Sequence, residues 1–209
     1  MPTTRAERLL SGEYAAWTKL LARSADIVQP HGSSIPSDDA LGQVLARAAL
    51  LGFVNTFEIY LTDLMSEIYL TQPLTLKSGA TVTVEEVLGF QTILEFVDFE
   101  ANRRISKLIR GAIEAYIETF RRQYQLEIFT AQEQPRAREL FEIRNLYTHH
   151  NGRVDLKFQA NNPTITLPRE ALHQLSIDDI LSAAGFLADV VSRLDQAAVA
   201  KYQLSTINT

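Results

Sequence analysis

The sequence predicts an all-α protein: an antiparallel arrangement of about five to six helices in one domain spanning residues 1–209, with room for one small β-hairpin. Three observations predict it. Apolar residues recur at spacings of three and four through most of the chain, the period of one helix face. The breaks between these runs carry helix punctuation: Ser37, Pro135 and Ser176 at starts and Gly152 at an end. Alternation of β-branched residues is confined to PLTLKSGATVTV, around Ser78-Gly79, which permits the hairpin but is too short to define the fold. A chain of 209 residues with 46% apolar content and no internal repeat or linker suits one substantial core.

The first helix is expected from about Thr4 to Val28, where Leu9, Leu10, Tyr14, Trp17, Leu20 and Leu21 recur on one side. Gln29 to Pro36 is rich in breakers and reads as a loop, with His31 a solvated loop residue. Ser37 then caps a second helix running to about Leu70, with Asp38 and Asp39 in the first turn, where negative charge is favoured. Leu41, Val44, Leu45 and Ala48 mark its first half and Phe57, Leu61, Leu64 and Ile68 its second, so it is expected to be the central core helix.

After the hairpin stretch, helices are expected at about 84–96 and from Asp98 to about Ile128, the latter with Ile105, Ile109, Ala112, Tyr116 and Phe120 in register. The second of these carries two basic groups, Arg103, Arg104, Lys107 and Arg110, then Arg121 and Arg122. Glu100, Glu114 and Glu118 are interspersed, which reads as a charged solvent face. Pro135 opens a helix from Gln134 to about His149. Lys157 to Leu167 loses the helical period, and Asn161-Asn162-Pro163 signals a turn. Ser176 caps the last helix, whose Ile180, Ala184, Leu187, Val191 and Leu194 form a seam suited to packing within the chain or against a second subunit. His173, just before it, is expected to be structural.

Composition excludes several chemistries. The absence of cysteine removes disulfides, thiolate metal sites and cysteine nucleophiles. A net charge of -5 and a pI near 5.4 are unlike a generic basic nucleic-acid surface, so any RNA binding is expected to be local. The N-terminus lacks the apolar core of a signal peptide. Elsewhere charges are expected to interrupt the apolar runs too often for a membrane span of about 20 residues. The expectation is a soluble cytoplasmic protein with no membrane partner. There is no phosphate-binding G-x-x-x-x-G-K-[ST] loop, no G-x-S-x-G elbow and no H-E-x-x-H helix.

Chemistry-bearing residues gather in one stretch, EIRNLYTHHNGRVD, Glu142 to Asp155. It holds Arg144, Asn145, His149, His150, Asn151 and Gly152, and histidine is the side chain whose ordinary pKa allows proton exchange near neutral pH. On a helical wheel Ala137, Leu140, Phe141, Ile143, Leu146 and Tyr147 share one face, while Arg138, Glu142, Asn145 and His149 lie opposite. Arg144 breaks the pattern, because its Cα falls near the middle of the apolar face, where a guanidinium is costly unless it meets a carboxylate, a phosphate or a polar interface. The structural reading is an ion-paired arginine and two histidines complementing the helix dipole. A zinc site is disfavoured, since adjacent histidines point apart on a helix and no third ligand is signalled nearby.

Arg144-Asn145, His149 and Gly152-Arg153-Val154-Asp155 resemble the R-N-x-x-x-H-N-x-G-x-V-D form of the R-x(4-6)-H signature in the HEPN superfamily, helical proteins that include metal-independent endoribonucleases of defence and toxin systems. His150 stands where such relatives often carry asparagine. His149 leaves four intervening residues and His150 five; both fit, and the position of the glycine favours His149. The resemblance implies an HEPN-like helical bundle and a homodimer that brings two motifs to one cleft. It further implies an RNA substrate and an antitoxin or other defence-system protein as partner, with neither metal nor cofactor. Arg144, Asn145, His149 and His150 are the catalytic candidates it gives, and Arg153 and Lys157 the RNA contacts. The alternative is a non-catalytic module of the same superfamily that binds RNA, a nucleotide or a protein.

Overall fold

The computed structural model describes residues 3–28, 40–76, 81–108 and 113–207. Among them the protein is all-α, with α1 (Arg5–Val28), α2 (Ala40–Thr71), α3 (Val84–Leu88), α4 (Ile93–Leu108), α5 (Ile113–Thr119), α6 (Gln134–His150), α7 (Leu156–Asn161) and α8 (Ile177–Tyr202). A 3₁₀ turn spans Pro73–Leu76 and a π-helical turn Phe120–Tyr124. The loop with His31, the Ser37 cap with Asp38 and Asp39, the Ser78-Gly79 tip, and Ile109, Arg110 and Ala112 lie outside the described residues. Two compact units are formed.

The first unit comprises Met1–Leu9, Glu58–Ile128 and Val191–Thr209. Its core is the second half of α2, where Tyr60, Leu61, Leu64, Met65, Ile68 and Tyr69 are at most 1% exposed. Tyr124 joins it with ring centroids 5.7 Å from Tyr69 and 5.2 Å from Phe120. Thr4 caps α1 through Oγ1, which accepts from the Glu7 N–H, and is itself held by buried Asp195, whose carboxylate accepts from the Thr4 N–H at 3.1 Å and hydroxyl at 2.5 Å. Burial pushes the Asp195 carboxyl above the ordinary range despite these hydrogen bonds. Three of the basic residues are paired locally: Arg103 meets Glu100 and Glu86, and Arg121 and Arg122 both meet Glu118.

The second unit comprises Leu10–Phe57 and Phe129–Val190. Phe53, Val54 and Phe57 from α2 are fully buried there. Tyr14 packs edge-on to Phe53 at 4.8 Å and donates its hydroxyl hydrogen to the Phe53 carbonyl. Phe57 packs against Phe129, with ring centroids 5.8 Å apart, and against Phe141 at 6.3 Å, and Phe129 stacks on Phe186 of α8. Ser176 opens α8 by reciprocal capping, with its hydroxyl accepting from the Asp179 N–H and the Asp179 carboxylate accepting from Ser176.

Five sequence expectations are corrected. The hairpin arms are not strands: Pro73–Leu76 is a 3₁₀ turn, and Thr83 starts α3 in a capping box with Glu86. The break expected near residue 97 falls instead at Gly89–Thr92, because Gly89 ends α3 and the Thr92 hydroxyl accepts from the Glu95 N–H to start α4. The segment after the motif is helical, since Asp155 caps α7 by accepting from the Phe158 N–H at 2.7 Å. In the first half of α2 the buried residues are Ala46, Ala49 and Leu50, whereas Val44 is 53% exposed, so the small alanines set the inward face. Charges do not interrupt α2 as expected: Gly42–Thr71 is long and apolar enough, by length and composition, to cross a membrane, and half of that window is buried inside the protein. The α8 seam is buried throughout and packs within the chain.

Candidate functional site

The motif occupies the C-terminal half of α6 and the turn that follows, all within the second unit. Leu140, Phe141, Leu146 and Tyr147 are buried, so the inward face of α6 is the one the apolar period marks. Pro135 lies in the first turn, where its missing N–H costs nothing. The helix stops through two consecutive left-handed residues, Asn151 (φ 53°) and Gly152 (φ 79°), whose N–H groups both turn back to the Leu146 carbonyl. Only glycine fits at 152, since a Cβ there would lie 2.8 Å from the Tyr147 ring.

Gly152 to Val154 then leaves the helix and is held by 170–173. The His173 N–H donates to the Gly152 carbonyl at 2.9 Å, the Val154 N–H to Ala171 at 3.0 Å, and the Glu170 N–H to Val154 at 2.8 Å. Leu146, Val154 and Phe158 form a small core beneath, covered by Ile143, Ile165 and Leu167. The exit of the chain from α6 is thereby fixed on both sides.

Arg144 and Asn145 come together: the Arg144 Nη1 donates to Asn145 Oδ1 at 3.1 Å, with both residues half-buried. Asn145 and His149 are four residues apart and therefore share one face of α6. The His149 side chain is exposed, with no hydrogen bond or ion pair of its own among the described residues. His150, also exposed, places Nε2 3.4 Å from Asp155 Oδ2, next to the cap of α7. The two histidines thus differ in surroundings although adjacent in sequence. Arg153 and Lys157 are exposed beyond the turn, Arg153 with its backbone bridged to Leu172.

One neighbour of the motif was not singled out by sequence. Arg47, from α2 within the same unit, donates to Asn151 Oδ1 and lies 5.6 Å over the Tyr147 ring. A lone arginine on a long apolar helix is a signal of the kind Arg144 gives. His173, expected to be structural, meets Tyr147, whose hydroxyl donates to the His173 carbonyl at 2.6 Å and lies 2.9 Å from Nδ1. Burial pushes the His173 imidazole below its ordinary pKa, with Asp179 opposing, and pushes the Tyr147 phenol upward, with Arg47 opposing. His173 also lines a groove of about 360 Å³ with Glu139, Leu140, Ile143 and Asp179. Among the described residues no three His, Asp or Glu side chains converge in a way that could hold a metal ion.

Chemically, the C-terminal half of α6 offers a fork of fixed donors held by an amide, with an exposed imidazole one turn beyond that amide. Compared with protein-family models, curated proteins and solved structures, the chain matches none.

Proposed function

We propose that the chain is a metal-independent endoribonuclease of HEPN type, with an HEPN-like bundle, acting on RNA in the cytoplasm as a homodimer that brings two copies of the motif to one cleft. The setting that fits is a toxin-antitoxin or antiviral defence system, with an antitoxin or another defence protein as partner. The observation that carries this reading is the Arg144–Asn145 hydrogen bond at 3.1 Å on the face of α6 where His149 stands exposed one turn further on.

The reaction is attack of a ribose 2′-hydroxyl on the adjacent phosphorus. The new O–P bond forms as the bond to the 5′-oxygen breaks, leaving a 2′,3′-cyclic phosphate and a 5′-hydroxyl. His149 moves the proton, a role worth about 10² to 10⁴ in rate for a positioned acid-base group. The Arg144 guanidinium meets the charge that builds on the equatorial oxygens, and Asn145, by accepting from Nη1, holds that fork in place. His150, beside Asp155, is a reserve proton carrier or a phosphate or base contact, and Arg153 and Lys157 bind the flanking backbone.

The test is incubation of the purified protein with total RNA in EDTA, followed by mapping of the ends. Cleavage with cyclic-phosphate and 5′-hydroxyl termini is expected. Intact RNA with well-folded protein, or cleavage only after magnesium or zinc is restored, overturns the reading and leaves the non-catalytic binding module.

A further inference from the structure

Arg47 is the one basic residue among the 32 of α2, and the chain holds its guanidinium in place without neutralising it. Nη1 donates to Asn151 Oδ1, and the group lies 5.6 Å over the Tyr147 ring. Nε is buried with no acceptor, a costly state for an N–H of an ionised group. Nη2, which is not buried, has no partner among the described residues, so one edge of the fork opens to solvent. No carboxylate pairs with Arg47 among the described residues; its contacts are a neutral amide and a phenol ring.

The bond to Asn151 fixes where that edge opens. Asn151 stands between His150 and Gly152 in the left-handed end of α6, so the Arg47 guanidinium sits beside the turn that carries exposed His150, Arg153 and Lys157. The one carboxylate between residues 149 and 157 is Asp155, which accepts from the Phe158 N–H and lies 3.4 Å from His150. Arg47, Arg153 and Lys157 thus bring more positive charge to this end of α6 than Asp155 offsets, in a chain whose net charge is -5. A local cationic cluster of this kind is what lets an acidic protein hold a nucleic-acid backbone. A single strand suits it, because each nucleotide supplies a phosphate for a separate cation.

We infer that Arg47 is a phosphate-binding residue of the RNA site, with Nη2 donating to a backbone phosphate of the strand that passes the α6 turn. The inference rests on the RNA reading above and adds to it a residue from about a hundred positions earlier in the chain. Asn151 and Tyr147 keep the guanidinium in one orientation, so little side-chain freedom is lost when the phosphate arrives.

The test is binding of a fluorescein-labelled 2′-O-methyl oligouridylate, which lacks the attacking hydroxyl and stays intact, followed by anisotropy between about 50 and 200 mM potassium chloride. Arg47→Gln keeps an amide donor for Asn151 and removes the charge. Loss of one phosphate contact on a single strand should lower the slope of log affinity against log salt by about 0.7, which is about eightfold weaker binding at 50 mM and about threefold at 200 mM. Arg47→Lys should keep the wild-type slope, and so should Asn151→Gly, which frees the guanidinium without removing it. A residue that only held the turn would shift affinity by the same factor at every salt concentration. An unchanged slope in Arg47→Gln, or an equal fall in Arg47→Lys, therefore overturns the inference. If the wild type cleaves ordinary RNA while the Arg47→Gln slope is unchanged, the assignment of Arg47 falls and the ribonuclease reading stands. If the slope falls as expected but ordinary RNA stays intact, Arg47 is borne out and the catalytic reading falls. A wild type that leaves the strand unbound at 50 mM salt overturns both.

Discussion

Gly152→Ala perturbs the turn that sets the end of the motif helix, and its cost can be worked from the backbone. Position 152 has φ 79°, a left-handed conformation that costs a residue with a Cβ roughly 1–2 kcal/mol. The new methyl would also lie 2.8 Å from Tyr147 Cε1 and 3.2 Å from Cδ1. Tyr147 is 6% exposed and its hydroxyl is tied to His173, so the ring has little freedom to retreat, and overpacking of this kind adds about 1–3 kcal/mol. The expected loss is therefore about 2–5 kcal/mol, a large share of the roughly 5–15 kcal/mol that holds a domain together. Urea unfolding followed by circular dichroism reads it as a lower midpoint with an unchanged slope. Asn151→Gly is the companion variant: it relieves the left-handed strain at φ 53° but gives up the Arg47 contact, and should lie far closer to wild type. A Gly152→Ala protein within about 0.5 kcal/mol of wild type would refute the account of the turn, since that is the scatter of ordinary surface substitutions.

Asp155→Ala removes the α7 cap and should cost about 1 kcal/mol of stability by the same urea assay, as loss of an N-cap does; an unchanged midpoint would deny the cap its role. Phe158→Ala, in the core under the motif turn, should cost about 3–5 kcal/mol, and a loss below 1 kcal/mol would show that the Leu146–Val154–Phe158 cluster does not support the turn. His173 makes stability depend on mild acid. Burial holds its folded pKa below the ordinary 6.5, so on acidification the unfolded chain takes up the proton first. Its contribution is complete above pH 6.5 and is lost as pH falls below that toward the folded value. Urea midpoints that drop between pH 7 and pH 5, with a smaller drop in His173→Gln, are expected; an equal drop in both would assign the effect elsewhere.

The helices were legible in the sequence where burial is one-sided and periodic. Phe57, Leu61, Leu64 and Ile68, and likewise Ile180 through Leu194, are the inward faces that their spacing gives. Reading failed where a single hydroxyl or carboxylate decided a boundary: Thr92 starts α4 and Asp155 starts α7 without any change in the apolar period. It also failed in the first half of α2, where alanines pack inward and larger residues such as Val44 face solvent. In the site, the residue types and the helix end were legible because Pro135 and Gly152 punctuate α6. Arg47 was not, because its approach to Asn151 spans about a hundred residues of chain and leaves no local pattern. The difference between His149 and His150 lies in Asp155, which becomes a neighbour of His150 only once the chain has turned at Gly152.

The ribonuclease reading is tested most directly by comparing cleavage by His149→Ala, His150→Ala and Arg144→Ala in EDTA under single-turnover conditions, with circular dichroism to establish folding. His149→Ala and Arg144→Ala should each slow cleavage by about 10² or more, the cost typical of losing an acid-base or charge-stabilising group, while His150→Ala keeps most of the rate. Arg144→Ala should also lose some stability, because the half-buried guanidinium leaves Asn145 without its donor. Cleavage abolished by His150→Ala but retained by His149→Ala would contradict the assignment of the proton carrier. Cleavage unchanged in all three folded variants would contradict the catalytic reading itself.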